Sequence, residues 1–270
     1  MSTTTDATAA GFRPLMSPNA CRAGYREAVW SEWTKFRTLR STRALTAVLG
    51  MALPLFAVIV AATDSLQPDD TILGASLLGG AVLAQVLAAV LGTLLITSEF
   101  KTGMIRVTLA ACPRRLVVPA AKATIAAGVG FVVTLVSGAT AFGIGLAMLD
   151  GDTYATGDAW PALLGVALAI ASIAVLGVGI GTVVRHSAGA VTAVIGVVLL
   201  PGLLAPLLGD VQRWLGGGSL NGVMQKLTQS SDATHESVGS LGAWASLAVV
   251  AAYTVTTVLA AVWVLRHRDT

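Results

Sequence analysis

Charged residues are scarce in this chain: Asp, Glu, Lys and Arg make up 11% of its 270 residues, whereas 55% are hydrophobic. Soluble domains carry about 25% charged residues, so the composition excludes a soluble protein. Six membrane spans of about 20 residues would fill nearly half of the chain and leave no room for a separate catalytic domain. The sequence therefore predicts an all-α integral membrane protein with six transmembrane helices.

Residues that bind metals or nucleotides are also few. The two cysteines, Cys21 and Cys112, have no partners at metal-ligand spacing, and the three histidines all lie outside the predicted spans. No GxxxxGK[ST] phosphate-binding loop occurs in the sequence. We therefore expect no metal site, no bound cofactor and no enzymatic activity of the chain itself.

The predicted spans lack Asp, Glu, Lys, Arg and His altogether. Gradient-driven transporters keep ionisable residues at membrane depth, and intramembrane hydrolases need acids or histidines there, so both classes are disfavoured. The predicted spans are 44–62, 73–97, 123–149, 161–184, 190–208 and 242–265. Around them we expect a disordered cytosolic tail at 1–20, an amphipathic helix at 21–43, a cytosolic loop at 98–122, an outer segment with a short interfacial or re-entrant helix at 209–241, and a cytosolic tail at 266–270.

Basic residues concentrate on one predicted side of the membrane. If both termini are cytoplasmic, all 17 lysines and arginines except Arg213 and Lys226 fall in inner segments, and most acids fall in outer ones. Short cytoplasmic loops retain Lys and Arg, so this asymmetry predicts a multi-pass protein of the cell membrane with both ends inside. Anionic lipid, and not nucleic acid, is the expected partner of these basic residues.

The segment before the first span has the pattern of an amphipathic helix. Its apolar residues recur at steps of three and four, and it carries two tryptophans and several basic residues, which is typical of a helix lying in the membrane interface. Glu32 falls within the apolar face, where a carboxylate needs a partner. Two partners are possible: Lys35, one turn further on, or a group on a bound protein.

The loop between the second and third spans, 98–122, is rich in positive charge. We expect a helix from Ser98 to Ala111, stopped by Pro113. Glu99, Lys101 and Arg106 would be exposed on its cytosolic face, with Arg114 and Arg115 just beyond. On spacing alone, such charges either dock a cytosolic partner or anchor lipid headgroups.

Polarity inside the spans is mild. The residues that we consider for a substrate pathway are polar and lie within predicted spans: Gln85, Thr93, Ser137, Thr140 and Thr254. The glycine run Gly177–Gly181 lacks the preceding strand of a nucleotide-binding fingerprint, so we expect it to serve close helix packing.

Two cytosolic stretches resemble a known family. The sequences SEWTKFRTLRS (31–41), SEFKTGMIR (98–106) and PRR (113–115) resemble permease subunits of ATP-binding-cassette exporters of the type-2 class, in the form found in high-GC Gram-positive bacteria. The resemblance implies a homodimer of six-span permeases with two separate cytosolic ATPase subunits. ATP and magnesium would be bound by those partners.

The resemblance also implies roles for particular residues. A coupling helix that contacts the ATPase would include Glu99, Phe100, Lys101, Thr102, Gly103, Arg106, Pro113, Arg114 and Arg115. A connecting helix along the membrane would include Glu32, Trp33, Lys35, Phe36 and Arg37. The alternatives are a gradient-driven transporter or channel, and a membrane scaffold that transports nothing. The sequence does not select a substrate.

Overall fold

The computed structural model describes residues 24–63, 69–103, 117–149, 151, 153–208, 211–229 and 233–267. Over these residues the chain is helical apart from turns, loops and one β-bridge between Thr71 and Ala155. The helices in chain order are α1 (Tyr25–Thr38), α2 (Arg40–Thr63), α3 (Ile72–Thr102), α4 (Val117–Met148), α5 (Ala159–Val184), α6 (Ser187–Leu204, with a 3-10 turn at Ala205–Leu207), α7 (Gln212–Gly218), α8 (Leu220–Leu227), α9 (His235–Val238) and α10 (Ala243–His267).

Within the described ranges, six helices are long and apolar enough to cross a bilayer: α2, α3, α4, α5, α6 and α10. This confirms the all-α fold and the prediction of six helices that are long and apolar enough to span a membrane. Helices α5 and α3 form the centre of the bundle. In the most apolar 18-residue stretch of each helix, 72% of the residues of α5 and 56% of those of α3 are buried, against 22% in α2, α6 and α10. The three outer helices therefore present most of the apolar surface that lipid would cover.

Close backbone contact joins the two central helices. A Cβ atom on Gly92 of α3 would lie 1.9 Å from the carbonyl oxygen of Ala174, and one on Gly177 of α5 would lie 2.6 Å from that of Ala89. Only glycine allows helices to approach so closely. The prediction that the Gly177–Gly181 run serves helix packing is confirmed.

The amphipathic helix is shorter than the predicted 21–43. It ends at Thr38, because Leu39 is extended (φ −76°, ψ 122°), and α2 begins at Arg40. The residues from Arg40 to Arg43 therefore belong to the first spanning helix. That α1 lies along the membrane interface stays a prediction.

The loop predicted at 98–122 is shortened from both sides. Helix α3 continues to Thr102 and ends where Gly103 adopts the left-handed conformation (φ 70°), which glycine enters without steric cost. The predicted helix from Ser98 to Ala111 is therefore wrong in one respect, because it is interrupted at Gly103; its remainder, 104–111, lies outside the described residues. Helix α4 begins at Val117, so Lys122 lies inside a helix and not in a loop.

Helix α8 packs against the opposite end of α3, and α7 and α9 pack against α8. Helix α8 contains the apolar stripe of the segment that the sequence predicts to be outer, and its residues Leu220, Val223, Met224 and Leu227 are buried. The carbonyl oxygen of Thr228, just after α8, lies beside Gly74 at the start of α3. The position of this end relative to a bilayer stays a prediction.

Candidate functional site

Four charged side chains from three helices meet at the C-terminal end of α3. We call Glu32, Lys35, Glu99 and Lys122 the charge cluster. Lys35 Nζ lies 2.7 Å from Glu32 Oε1 and 2.8 Å from Glu99 Oε1. Lys122 Nζ lies 2.5 Å from Glu32 Oε2 and 3.0 Å from Glu99 Oε1. Each lysine therefore bridges both glutamates, and α1, α3 and α4 are joined by charge-assisted contacts.

Helix periodicity places the two residues of α1 on one side. Glu32 and Lys35 are three residues apart, so they are neighbours on the helix surface. Phe36, on the same side, packs with Leu91 of α3 and Ile125 of α4 in an apolar group directly beside the charges. The Tyr25 hydroxyl adds a hydrogen bond with Thr124 of α4. Apolar packing and hydrogen bonding thus hold α1 across α4.

Burial in the cluster corrects one expectation. Glu99 is 5% exposed, so it does not lie on an open cytosolic face. Glu32 is 6% exposed and Lys122 is 2% exposed. The reason is that α1 covers the end of α3, and two lysines neutralise the charges that this packing buries. A buried carboxylate is tolerated only with such partners.

The local prediction for Glu32 is confirmed, because Lys35 is its partner one turn on. Its second partner is Lys122 of the same chain, 90 positions away. Sequence reasoning missed Lys122. A signal was available: the apolar residues from Leu116 to Ala121 precede it, so a longer α4 would have placed this lysine inside a helix.

Charge balance in the cluster is complete, but hydrogen bonding is not. Two glutamates face two lysines, so the net charge is zero. Glu99 Oε1 accepts from both lysines, whereas Glu99 Oε2 is buried and has no hydrogen-bond partner among the described residues. An ionised oxygen buried without a donor is costly. The cluster therefore contains one open acceptor.

Lys35 is the most accessible member, with 37% of its side chain exposed. Burial disfavours its charged form, but hydrogen bonds to Glu32 and Glu99 and the attraction of their charges together outweigh burial and raise the Lys35 pKa above its ordinary value of 10.5. Because the folded-state pKa is raised, the contribution of Lys35 to stability is complete below pH 10.5 and is lost only as the pH rises beyond it. Lys35 therefore stays positively charged throughout the neutral pH range.

The exposed part of the predicted coupling segment is the last turn of α3. Lys101, Thr102 and Gly103 are exposed. Phe100 is half-buried, and the Arg185 guanidinium lies over its ring with the Arg185 Cζ atom 5.6 Å from the ring centroid. This contact ties the α5–α6 turn to the same end of the bundle. The other predicted coupling residues, Arg106, Pro113, Arg114 and Arg115, lie outside the described residues.

The remaining residues of the predicted connecting helix lie on α1 beside the cluster. Trp33 is half-buried and stacks on Phe36, with the ring centroids 5.7 Å apart. Arg37 is exposed and its guanidinium lies over the Trp33 ring, 6.0 Å from the centroid. Arg37 therefore faces the outside of the bundle end, and Trp33 lies between it and the buried Phe36.

The residues considered for a pathway do not converge. Thr93, Thr140 and Thr254 each donate to a carbonyl four residues earlier in their own helices, and Thr140 is exposed whereas Thr93 is buried. Ser137 donates to the Gly50 carbonyl and joins α4 to α2. Gln85 is fully buried, and its amide has no hydrogen-bond partner in the described structure. Their role in a pathway stays a prediction.

The fold defines a class: this is a multi-pass α-helical membrane protein. Comparison with models of known protein families finds no match, and comparison with curated protein sequences finds none either. The resemblance to exporter permeases therefore rests on the residues at 31–41, 98–106 and 113–115.

Proposed function

We propose that the chain is the permease subunit of an ATP-driven exporter of the type-2 ATP-binding-cassette class. Two copies form the substrate pathway in the cell membrane, and two separate cytosolic ATPase subunits bind beneath them. The chain itself hydrolyses nothing. ATP binding and hydrolysis in the partners change the exposure of the pathway.

The observation that carries the proposal is the charge cluster, because it lies where the two motif-bearing stretches meet. Glu32 and Lys35 belong to the first stretch, and Glu99 belongs to the second. Both stretches are thus parts of one contact, which Lys122 of α4 completes. The resemblance assigns both stretches to contact with the ATPase.

The ion pairs of the cluster also provide a way for movement of the partner to reach the spanning helices. A partner that binds the exposed turn at Lys101, Thr102 and Gly103 would displace the end of α3. Since Glu99 is ion-paired to α1 and α4, the displacement carries those helices with it. Glu99 then acts as an internal linker and Lys101 as an outer contact. Such coupling requires that the ATPase contacts differ between its two states.

The partner is tested by affinity purification of the full chain from the organism that makes it. A P-loop ATPase should copurify, and the complex in lipid nanodiscs should hydrolyse ATP whereas the chain alone should not. Lys101→Glu should reduce the amount of bound ATPase several-fold. Arg213→Glu is the matched control, because Arg213 is also exposed but belongs to the segment at the opposite end.

Two results would overturn the proposal. One is a purified chain that transports with no ATPase present and stops when an ionophore collapses the ion gradient. The other is equal loss of ATPase binding in Lys101→Glu and Arg213→Glu, which would show that the end of α3 has no special part in docking.

A further inference from the structure

Arg185 has an unfavourable conformation in the turn between α5 and α6. Its φ angle is 59°, in the left-handed region that glycine enters freely and a long side chain does not. Two of its side-chain nitrogens, Nε and Nη2, are buried and have no hydrogen-bond acceptor among the described residues. Both features oppose folding, and a glycine at this position would avoid both. A role other than stability therefore has to account for an arginine here.

One nitrogen of the Arg185 guanidinium remains accessible. Like the other two, Nη1 makes no hydrogen bond or ion pair with the described residues, but it is not buried. The Phe100 ring covers one face of the guanidinium, with the Cζ atom 5.6 Å from the ring centroid. The positive charge is thus held in place by Phe100 and is open to a partner at its Nη1 edge.

The chain itself offers few acids near this charge. Glu32 and Glu99 are already paired with the two lysines of the charge cluster. The segment 104–116, which lies outside the described residues, contains no Asp or Glu in its sequence. Next to Phe100, Lys101 is exposed and adds a second positive charge. The patch formed by Arg185 and Lys101 is therefore complementary to an acidic surface.

The position of the patch favours a protein over a lipid headgroup. Phe100 lies in the last turn of α3, and Arg185 directly follows α5. These two helices are the most buried of the six that could span a membrane, and the others surround them. Their ends therefore lie over the centre of the bundle and away from its lipid-facing rim. A protein that docks on the end of the bundle reaches the centre directly.

We infer that Arg185 receives a carboxylate from the protein that docks on this end of the bundle. The inference rests on the proposed function, in which that protein is the cytosolic ATPase. An Asp or Glu on the ATPase surface accepts a hydrogen bond from Arg185 Nη1 and pairs with its charge. This contact lies beside the exposed turn from Lys101 to Gly103, so the ATPase is attached to α5 as well as to α3. Movement of the ATPase then displaces both central helices together.

The test compares the affinity of variants in lipid nanodiscs for the ATPase that copurifies with the unmodified chain. Arg185→Gln should weaken ATPase binding about tenfold, because it removes a charge-assisted hydrogen bond. Arg185→Lys keeps the charge and should retain most of the affinity. Arg43→Gln is the matched control, because it removes the same charge from an exposed residue of the outer helix α2 at the same end. It should change the affinity less than about twofold.

A second measurement separates docking from a structural role of Arg185. Arg185→Gly relieves the left-handed conformation and removes the two unpaired nitrogens, which should offset the loss of the contact with Phe100. The thermal unfolding midpoint of the chain alone should therefore not fall, whereas ATPase binding should weaken as it does in Arg185→Gln. Arg185→Glu should abolish ATPase binding, and replacement of one acid on the ATPase by lysine should restore it. That rescue would identify the partner carboxylate.

Equal ATPase affinity of Arg185→Gln and Arg43→Gln would overturn the inference and leave the proposed function intact, since the ATPase would still bind. A parallel fall of the unfolding midpoint and the ATPase affinity in Arg185→Gly would also overturn it, because Arg185 would then only hold the α5–α6 turn. Loss of phosphatidylglycerol binding in Arg185→Gln, with ATPase binding unchanged, would assign the charge to a lipid headgroup instead. Absence of any ATPase from the unmodified chain would overturn this inference and the proposed function together.

Discussion

The helices at the two ends of α3 are held together by different kinds of contact. At the C-terminal end, Glu99 of α3 is ion-paired to Lys35 of α1 and to Lys122 of α4, and Lys122 also pairs with Glu32 of α1. At the N-terminal end, α8 packs against α3, and α7, α8 and α9 contact one another at glycines that lie against backbone carbonyls. A Cβ on Gly222 would lie 1.9 Å from the Gly216 carbonyl oxygen, and one on Gly217 would lie 2.5 Å from that of Val238. The first end depends on charge balance and the second on shape.

This difference determines how each end responds to change. Ion pairs between flexible side chains persist through small displacements of the helices, whereas contacts at carbonyl distance do not. The N-terminal end also has one partly buried hydrogen bond between side chains, in which Lys226 Nζ donates to Ser246 Oγ at 2.9 Å. Burial lowers the pKa of Lys226. The C-terminal end is therefore the better candidate for transmitting motion, and the N-terminal end is the better candidate for a fixed cap.

The largest effect should follow from Lys122→Met, which leaves two buried glutamates facing one lysine. Loss of one partner from a buried ion pair costs about 3–5 kcal/mol, so the thermal unfolding midpoint in detergent should fall steeply. Lys101→Met, which removes an exposed lysine from the same end, should change it little. The double variant Lys122→Met with Glu32→Gln restores neutrality and should recover much of the loss. A double variant no more stable than Lys122→Met would show that packing, and not charge, dominates this end.

A smaller loss is expected at the opposite end from Gly222→Ala. The added methyl group would overlap the Gly216 carbonyl, and overpacking of this kind costs about 1–3 kcal/mol. Gly218→Ala is the matched control, since a Cβ there meets nothing within 4 Å. Denaturant titration followed by tryptophan fluorescence would measure both. Equal stability of the two variants would contradict the distinction drawn between the ends.

Lys35→Met should destabilise less than Lys122→Met, because 37% of the Lys35 side chain is exposed and solvent screens its ion pairs. We expect a loss of about 1 kcal/mol at neutral pH. The raised Lys35 pKa means that the unmodified chain loses this advantage only above pH 10.5, so the two unfolding midpoints should converge there. A constant difference from neutral to strongly alkaline pH would show that the Lys35 charge is irrelevant to stability.

The smallest effect concerns the contact between Arg185 and Phe100. A cation–π contact at a partly exposed site is worth about 0.5–1 kcal/mol. A double-mutant cycle with Phe100→Leu and Arg185→Gln should give a coupling energy of that size in thermal unfolding. Strictly additive single effects would mean that the α5–α6 turn and the end of α3 are independent.

The sequence alone determined the membrane class and the number of spans. Hydrocarbon forces every spanning segment to be a long apolar helix whatever its neighbours are, so composition and run length suffice. Local chemistry also sufficed for the Glu32–Lys35 pair, because residues three apart on a helix are always neighbours. The end of α3 was harder to predict from the sequence. The spacing of apolar residues favoured a longer helix, whereas Gly103 adopts the left-handed conformation and ends it.

Only the tertiary structure decided what Glu99 and Lys122 do. Lys35 and Glu99 are 64 positions apart, and Glu32 and Lys122 are 90 apart, so no local pattern specifies their meeting. Their contact depends on α1 packing across α4 beside the end of α3. That packing buries Glu99, which the sequence predicted to be exposed, and it creates the charge cluster. Spacing along a chain fixes which residues share a helix face, whereas the partner of that face is chosen by three-dimensional packing.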